Sequence, residues 1–208
     1  CWTYNYSGTT SWLNGISFSD AKYGFIVGDV GTVRQTKNGG TTWLTHNFKM
    51  ASPFYAVDCI DSTTVAIVGY NIDEASGMIY HTTNGGAAWS QQNSGTPEVL
   101  NAVAFLNRDT GFTVGTGGTI LFTTNGGSTW RPRVSGTTTD LRGVAVLTRR
   151  IALAVGGYGL VLRTTNTGST WTAIPTGFGA LNAITFVDST TGYAVGSNGT
   201  ILKSTNGG

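Results

Sequence analysis

The chain has 208 residues, of which 39% are hydrophobic and 11% charged, with 31 glycines and a net charge of +2. A near-neutral balance without a Lys/Arg-rich run interleaved with aromatics argues against nucleic acid as a partner, and no apolar run approaches the ~20 residues needed to span a bilayer. The length supports a real core, while low charge with abundant Gly, Thr, Ser and Asn suits short strands and tight turns and points to a secreted, periplasmic or otherwise exported protein.

The chain opens on "CWTYNYSG" at residues 1–8. A first residue Cys is read as processing, excision or a partial sequence; a lipidated Cys is the alternative, although Trp2 follows it with no flexible tether. A series of four segments then begins: "LNGISF" from Leu13, "GFIVG" ending at Gly28, "GTVRQT" from Gly31 and "TKNGGTTW" ending at Trp43. It returns as "FYAVDC" from Phe54, "VAIVG" ending at Gly69, "GMIYHT" from Gly77 and "TTNGGAAW" ending at Trp89. The third copy is "LNAVAF" from Leu100, "GFTVG" ending at Gly115, "GTILFT" from Gly118 and "TTNGGSTW" ending at Trp130. The fourth is "LRGVAV" from Leu141, "ALAVG" ending at Gly156, "GLVLRT" from Gly159 and "TTNTGSTW" ending at Trp171. The fifth, "LNAITF" from Leu181, "GYAVG" ending at Gly196 and "GTILKS" from Gly199, stops inside its box at "STNGG". Short β-branched and aromatic segments bounded by Gly, Asn and Asp are strands.

The steps Trp2, Trp43, Trp89, Trp130, Trp171 measure 41, 46, 41 and 41 residues. Four strands in such a period make one propeller blade. The expected fold is all-β, a single domain over 1–208, and a five-bladed β-propeller of four-stranded antiparallel blades at 13–49, 54–95, 100–136, 141–177 and 181–208. The last repeat lacks its fourth strand and residues 1–8 have the phase of one, so that segment is expected to complete the last blade and remove an open edge. Excision from a longer array is the other account.

Each box is expected to be structural. Asn38, Asn84, Asn125, Asn166 and Asn206 can accept backbone N–H groups, the glycines tolerate positive φ, and Trp43, Trp89, Trp130, Trp171 and Trp2 bury large rings. With these residues the chain resembles the Asp-box, or BNR, propellers, and is most similar to the photosystem II assembly and stability factor family and its bacterial relatives. The resemblance covers essentially the whole chain. It departs in two ways: those factors usually have seven blades, and the box acid is Asn in every copy here. It implies a non-catalytic scaffold that binds another protein.

No enzyme chemistry is expected. Asp20, Asp61, Asp109 and Asp188 fall in the turn after the first strand, an Asx-turn role, and the other carboxylates scatter over several repeats. The Arg-Ile-Pro segment of sialidases is absent. His46 and His81 have no ligand-spaced partners, so neither metal nor cofactor is expected; His81 shares a chemically variable column with Gln35, Phe122, Arg163 and Lys203 and is expected to face outward. Cys59 is expected to be a small buried hydrophobe.

Binding is expected on the irregular loop face, where the five extra residues of the second repeat also lie. There Asn14, Tyr55, Asn101, Arg142 and Asn182 form a polar ring, read either as a ligand mouth or as satisfaction of the inner strand ends. Trp12, Tyr55, Tyr70 and Tyr158 carry the alternative of a lectin-like glycan module; a sialidase-like glycoside hydrolase remnant is third. On the disc edge, Arg131, Arg133 and Arg163 are expected either to be solvated or to dock an acidic protein segment.

Overall fold

The computed structural model describes residues 4–208, whose strands form five antiparallel sheets. The first contains β1 (Leu13–Phe18), β2 (Gly24–Gly28), β3 (Thr32–Thr36) and β4 (Leu44–Asn47), and the second β5 (Phe54–Cys59), β6 (Val65–Asn71), β7 (Ser76–Thr82) and β8 (Ser90–Asn93). The third contains β9 (Leu100–Phe105), β10 (Gly111–Gly115), β11 (Ile120–Thr123) and β12 (Arg131–Arg133), and the fourth β13 (Leu141–Val146), β14 (Ala152–Gly156), β15 (Leu160–Thr164) and β16 (Thr172–Pro175). The fifth has three described strands, β17 (Leu181–Phe186), β18 (Gly192–Gly196) and β19 (Ile201–Ser204). The inner strands adjoin in sequence, β1 on β5, β5 on β9, β9 on β13 and β13 on β17.

Sheets stacked this way are covered on both faces, so the middle strands lose the apolar–polar alternation of a half-exposed strand. Val27, Val68, Val114 and Val155, equivalent residues of the second strands, are all fully buried. The expectation that the His81 column faces outward fails for the same reason. Gln35, His81 and Phe122 are buried between sheets, and the Gln35 amide donates to the Gly85 carbonyl of the next sheet at 3.0 Å. Burial lowers the His81 pKa.

The boxes close tight turns through one repeated network. The Thr123 hydroxyl donates to Asn125 Oδ1 at 3.0 Å and accepts the Gly127 N–H at 2.8 Å, while Asn125 Oδ1 also accepts the Thr129 N–H at 3.0 Å. Thr36 with Asn38, Thr82 with Asn84 and Thr164 with Asn166 repeat the hydroxyl-to-amide bond, and Ser204 makes it to Asn206. Each following indole bridges neighbouring elements. Trp89 meets Phe25 of the preceding sheet edge to face at 5.7 Å, and Trp171 meets Phe112 at 5.7 Å.

The Asx turns form as expected at Asp20, Asp61 and Asp188. In the third sheet the acceptor is Asn107, not Asp109: Asn107 Oδ1 takes the N–H groups of Asp109 and Thr110. Asn107 occupies the residue position that holds Asp20 in the first repeat, and an amide oxygen accepts as a carboxylate does.

Cys1 and Trp2 lie outside the described residues. The described part of the segment expected to complete the fifth sheet, residues 4–8, carries no strand, and its contacts run to the first sheet. The Asn5 amide donates to the Gly40 carbonyl, and Arg34 donates to the carbonyls of Ser7 and Gly8. Ile16 on β1 is 64% exposed and Ile201 on β19 is 71% exposed, although the counterparts of Ile201, Val33 and Ile79, are fully buried. Both ends of the stack thus present bare apolar faces.

Candidate functional site on the loop face

Every inner strand carries a bulge near its start, where the register skips a residue. The skipped residues are Asn14, Tyr55, Asn101, Arg142 and Asn182, the five members of the polar ring. A bulge frees a side chain from the ladder and re-aims it.

Two of these side chains stitch their sheet to a backbone carbonyl of the next. The Asn14 amide donates to the Phe54 carbonyl at 3.0 Å and to Asp29 Oδ1 at 2.8 Å, and the Asn101 amide donates to the Leu141 carbonyl at 2.9 Å. Burial and the nearby Asp29 carboxylate raise the Tyr55 pKa. Arg142 differs. Its Nη1 donates to Asn182 Oδ1 at 2.8 Å, and the single ion pair among the described residues, Arg108 with Asp61 at 2.6 Å, lies elsewhere. Arg142 is therefore a positioned guanidinium with donors to spare.

It lines a cleft of ≈ 610 Å³ at the fourth sheet, together with Asp140, Tyr158 and Phe178. Two loops shape the walls. The Gly157 N–H donates to the Asp140 carbonyl at 3.0 Å, and the Thr176 hydroxyl donates to the Gly159 carbonyl at 2.9 Å, tying the turn at Tyr158 to the loop at Phe178. A Cβ on Gly159 would meet the Phe178 carbonyl oxygen at 2.5 Å, so this close approach requires glycine. Asp140 does not compete for Arg142 by an ion pair; its Oδ1 accepts the Gly117 N–H at 3.0 Å. The cleft offers a cation with free donors, a carboxylate engaged by backbone, and two aromatic rings; the free donors suit a carboxylate and the rings an apolar group beside it.

The other sequence-predicted residues do not assemble with it. Trp12 is exposed on the approach to β1, and Tyr70 is the penultimate residue of β6 in the second sheet. Of the aromatic set Trp12, Tyr55, Tyr70 and Tyr158, only Tyr158 lines the cleft with Arg142. Arg131 is exposed, but the Arg133 guanidinium lies 4.8 Å over the Phe122 ring and Arg163 Nε donates to the Gly207 carbonyl at 3.0 Å. Arg133 packs on a ring of its own sheet with its Cγ against Gly168 of the next, and Arg163 reaches the box of the fifth sheet, so both are committed to packing. No group of three or more His, Cys, Asp and Glu side chains converges among the described residues. The sequence places Phe178 and Asp140 on this irregular face but does not single out the half-buried Asp58, whose only signal is a carboxylate in the inner-strand position held elsewhere by Ser17, Ala104, Ala145 and Thr185.

Known proteins share this architecture. The solved structure of YCF48 bound to D1 peptide superposes with a TM-score of 0.58 at 19% identity, covering 96% of this chain and 80% of that one. A Niastella koreensis GH74 enzyme gives a TM-score of 0.71 at 17% identity over 93% of this chain, and an ancestral GH74 enzyme 0.69 at 16% over 94%. The chain spans only 36% and 31% of those two enzymes. Likenesses at this identity show the β-propeller fold alone. No curated protein matches the chain. Its sequence matches the family Photosynthesis system II assembly factor YCF48 over residues 1–96 and again over residues 88–178, and the chain belongs to that family.

Proposed function

We propose that this chain is a non-catalytic propeller scaffold that holds an extended segment of another protein on its loop face. The observation that carries the reading is the cleft at the fourth sheet, where Arg142 is oriented by Asn182 and has no carboxylate partner. Family membership and the D1 peptide held by the YCF48 structure support a protein partner. In a fluorescence-anisotropy titration with D1 peptide as probe, the parent chain is expected to bind and Arg142→Ala to lose tenfold or more, the order of one charge-assisted hydrogen bond of about 1.5–3 kcal/mol. The loss should shrink as salt is raised. No binding by the parent, or equal binding by Arg142→Ala at every salt concentration, overturns the reading.

The proposal includes a ring of five blades closed by residues 1–8. A cleft of ≈ 250 Å³ lined by Leu153, Ile174, Phe186, Gly192 and Gly208 stands where the other sheets seat their box tryptophan, and Trp2 has that phase. Asn5 already meets Gly40 as Gln92 of β8 meets Gly126, by an amide-to-carbonyl bond to the next box. In the register of β15 with β16, where Leu162 pairs with Ala173, Tyr4 would pair with Leu202. The double variant Tyr4→Cys, Leu202→Cys is expected to oxidise to an intramolecular disulfide in a monomer. A protein that forms only intermolecular disulfides, or none, sinks the five-blade ring.

A further inference from the structure

The turn between the second and third strands of four sheets places two successive residues in the left-handed region, the second always Gly and the first Val30 (φ 56°), Gly117 (φ 60°), Tyr158 (φ 55°) or Asn198 (φ 56°); in the second sheet Ala75 (φ 49°) adopts it. Glycine and asparagine adopt this conformation readily, whereas a β-branched or bulky residue there is an outlier held by its surroundings. Strain of this kind concentrates at ligand contacts. The backbone conformation closes the turn, with the Leu160 N–H donating to the Gly157 carbonyl, but the Tyr158 side chain adds nothing to the fold. The residue is 90% exposed, and its hydroxyl makes no hydrogen bond among the described residues.

Its position gives the strain a purpose. The turn is fastened to the Phe178 loop through the Thr176 hydroxyl on the Gly159 carbonyl, and both rings stand on the rim of the cleft that Arg142 lines. Phe178 is itself 55% exposed, and Gly177 beside it has φ 77° with open space where a Cβ would stand. The cleft joins a guanidinium free of any carboxylate to two uncovered rings on fastened loops.

We infer that Tyr158 is a recognition residue, held in the left-handed conformation to grip an apolar side chain next to the carboxylate that Arg142 takes, so that the cleft reads an acidic residue adjoining an apolar one in an extended peptide. This rests on the protein-binding reading above and adds the side chains it selects. Asp140 also lines the cleft but its Oδ1 is engaged by the Gly117 N–H, so the unused Arg142 donors commit the occupant to an acidic residue, and the aromatic rim to an apolar neighbour, since aromatic contact is directional and area-rich.

The test uses the full chain and an array of synthetic decapeptides carrying Glu next to Leu or Phe, each beside a version with Gln for Glu and a version with Ser for the apolar residue. Parent protein is expected to lose binding with either replacement. Tyr158→Gly should bind about tenfold more weakly, a step of ~1.4 kcal/mol, and no longer distinguish the apolar residue from Ser, yet melt no lower than the parent. Tyr158→Phe should retain binding. Val30→Gly, which relieves the same backbone conformation away from the cleft, should also melt no lower and should bind as the parent does. Binding that needs Glu but ignores the apolar neighbour and Tyr158 overturns this inference while leaving the scaffold reading intact. Loss of Glu dependence overturns both, and a glycan-array signal abolished by Tyr158→Gly reassigns the cleft to sugar.

Discussion

Trp130→Ala is expected to destabilise the chain by roughly 3–5 kcal/mol, the range for truncating a buried aromatic. The residue is 9% exposed and meets Phe105 edge to face at 5.9 Å, while its indole N–H donates to Gln92 Oε1 of the preceding sheet at 3.2 Å. Truncation therefore opens a cavity beside β9, strips the amide of a buried donor and loosens the joint between two sheets. Asn125→Ala removes a turn acceptor at an exposed site and should cost less, about 1–2 kcal/mol. Urea unfolding followed by circular dichroism ranks the two. A Trp130→Ala loss no larger than that of Asn125→Ala would show that the box indoles do not join the sheets.

The second large effect belongs to Asp58. Its carboxylate is enclosed between the inner strands of the second and third sheets, although the residue keeps some exposure, and Oδ2 accepts the Phe105 N–H at 2.6 Å. Burial pushes its pKa up to about 6, against a smaller lowering by that hydrogen bond. A carboxyl that binds its proton more tightly when folded favours folding most below its unfolded pKa, near pH 4, and this contribution is lost as pH rises through 6. The wild-type profile alone mixes signs. Burial lowers the pKa values of His46 and His81, whose contributions are fully present above 6.5 and are lost as pH falls below it through the lowered folded values. The difference between Asp58→Asn and the parent isolates the carboxylate: the advantage of the variant should grow by about 2 kcal/mol between pH 4 and pH 7.5, whatever constant offset the amide brings. A difference that stays flat over this range would mean that water reaches Asp58 and its pKa is ordinary.

Much of this architecture follows from local chemistry. A residue such as Gly126 with φ 66°, preceded by Asn125 and followed by a tryptophan, specifies its turn wherever it stands, because left-handed backbone and side-chain acceptors act within a few residues of each other. Five such turns at regular spacing therefore announce five strand groups. The bulged position of the inner strand was visible too, as the polar letter after Leu13, Leu100, Leu141 and Leu181.

What could not be read in one dimension is which polar side chains find a neighbour. Arg133 and Arg142 look alike as letters, yet one lies over Phe122 of its own sheet and the other keeps donors facing a cleft. His81 reads as a surface position because its column is chemically mixed; it is buried because a blade has neighbours on both faces, and the mixture records a different neighbour in each gap. Tyr158 and Phe178 are separated by 20 positions and line one cleft where Thr176 ties one loop to the other. Turn and strand identity are local energies repeated along the chain, whereas burial, pKa and the composition of the cleft arise from contacts between sheets, which exist only once the sheets have stacked.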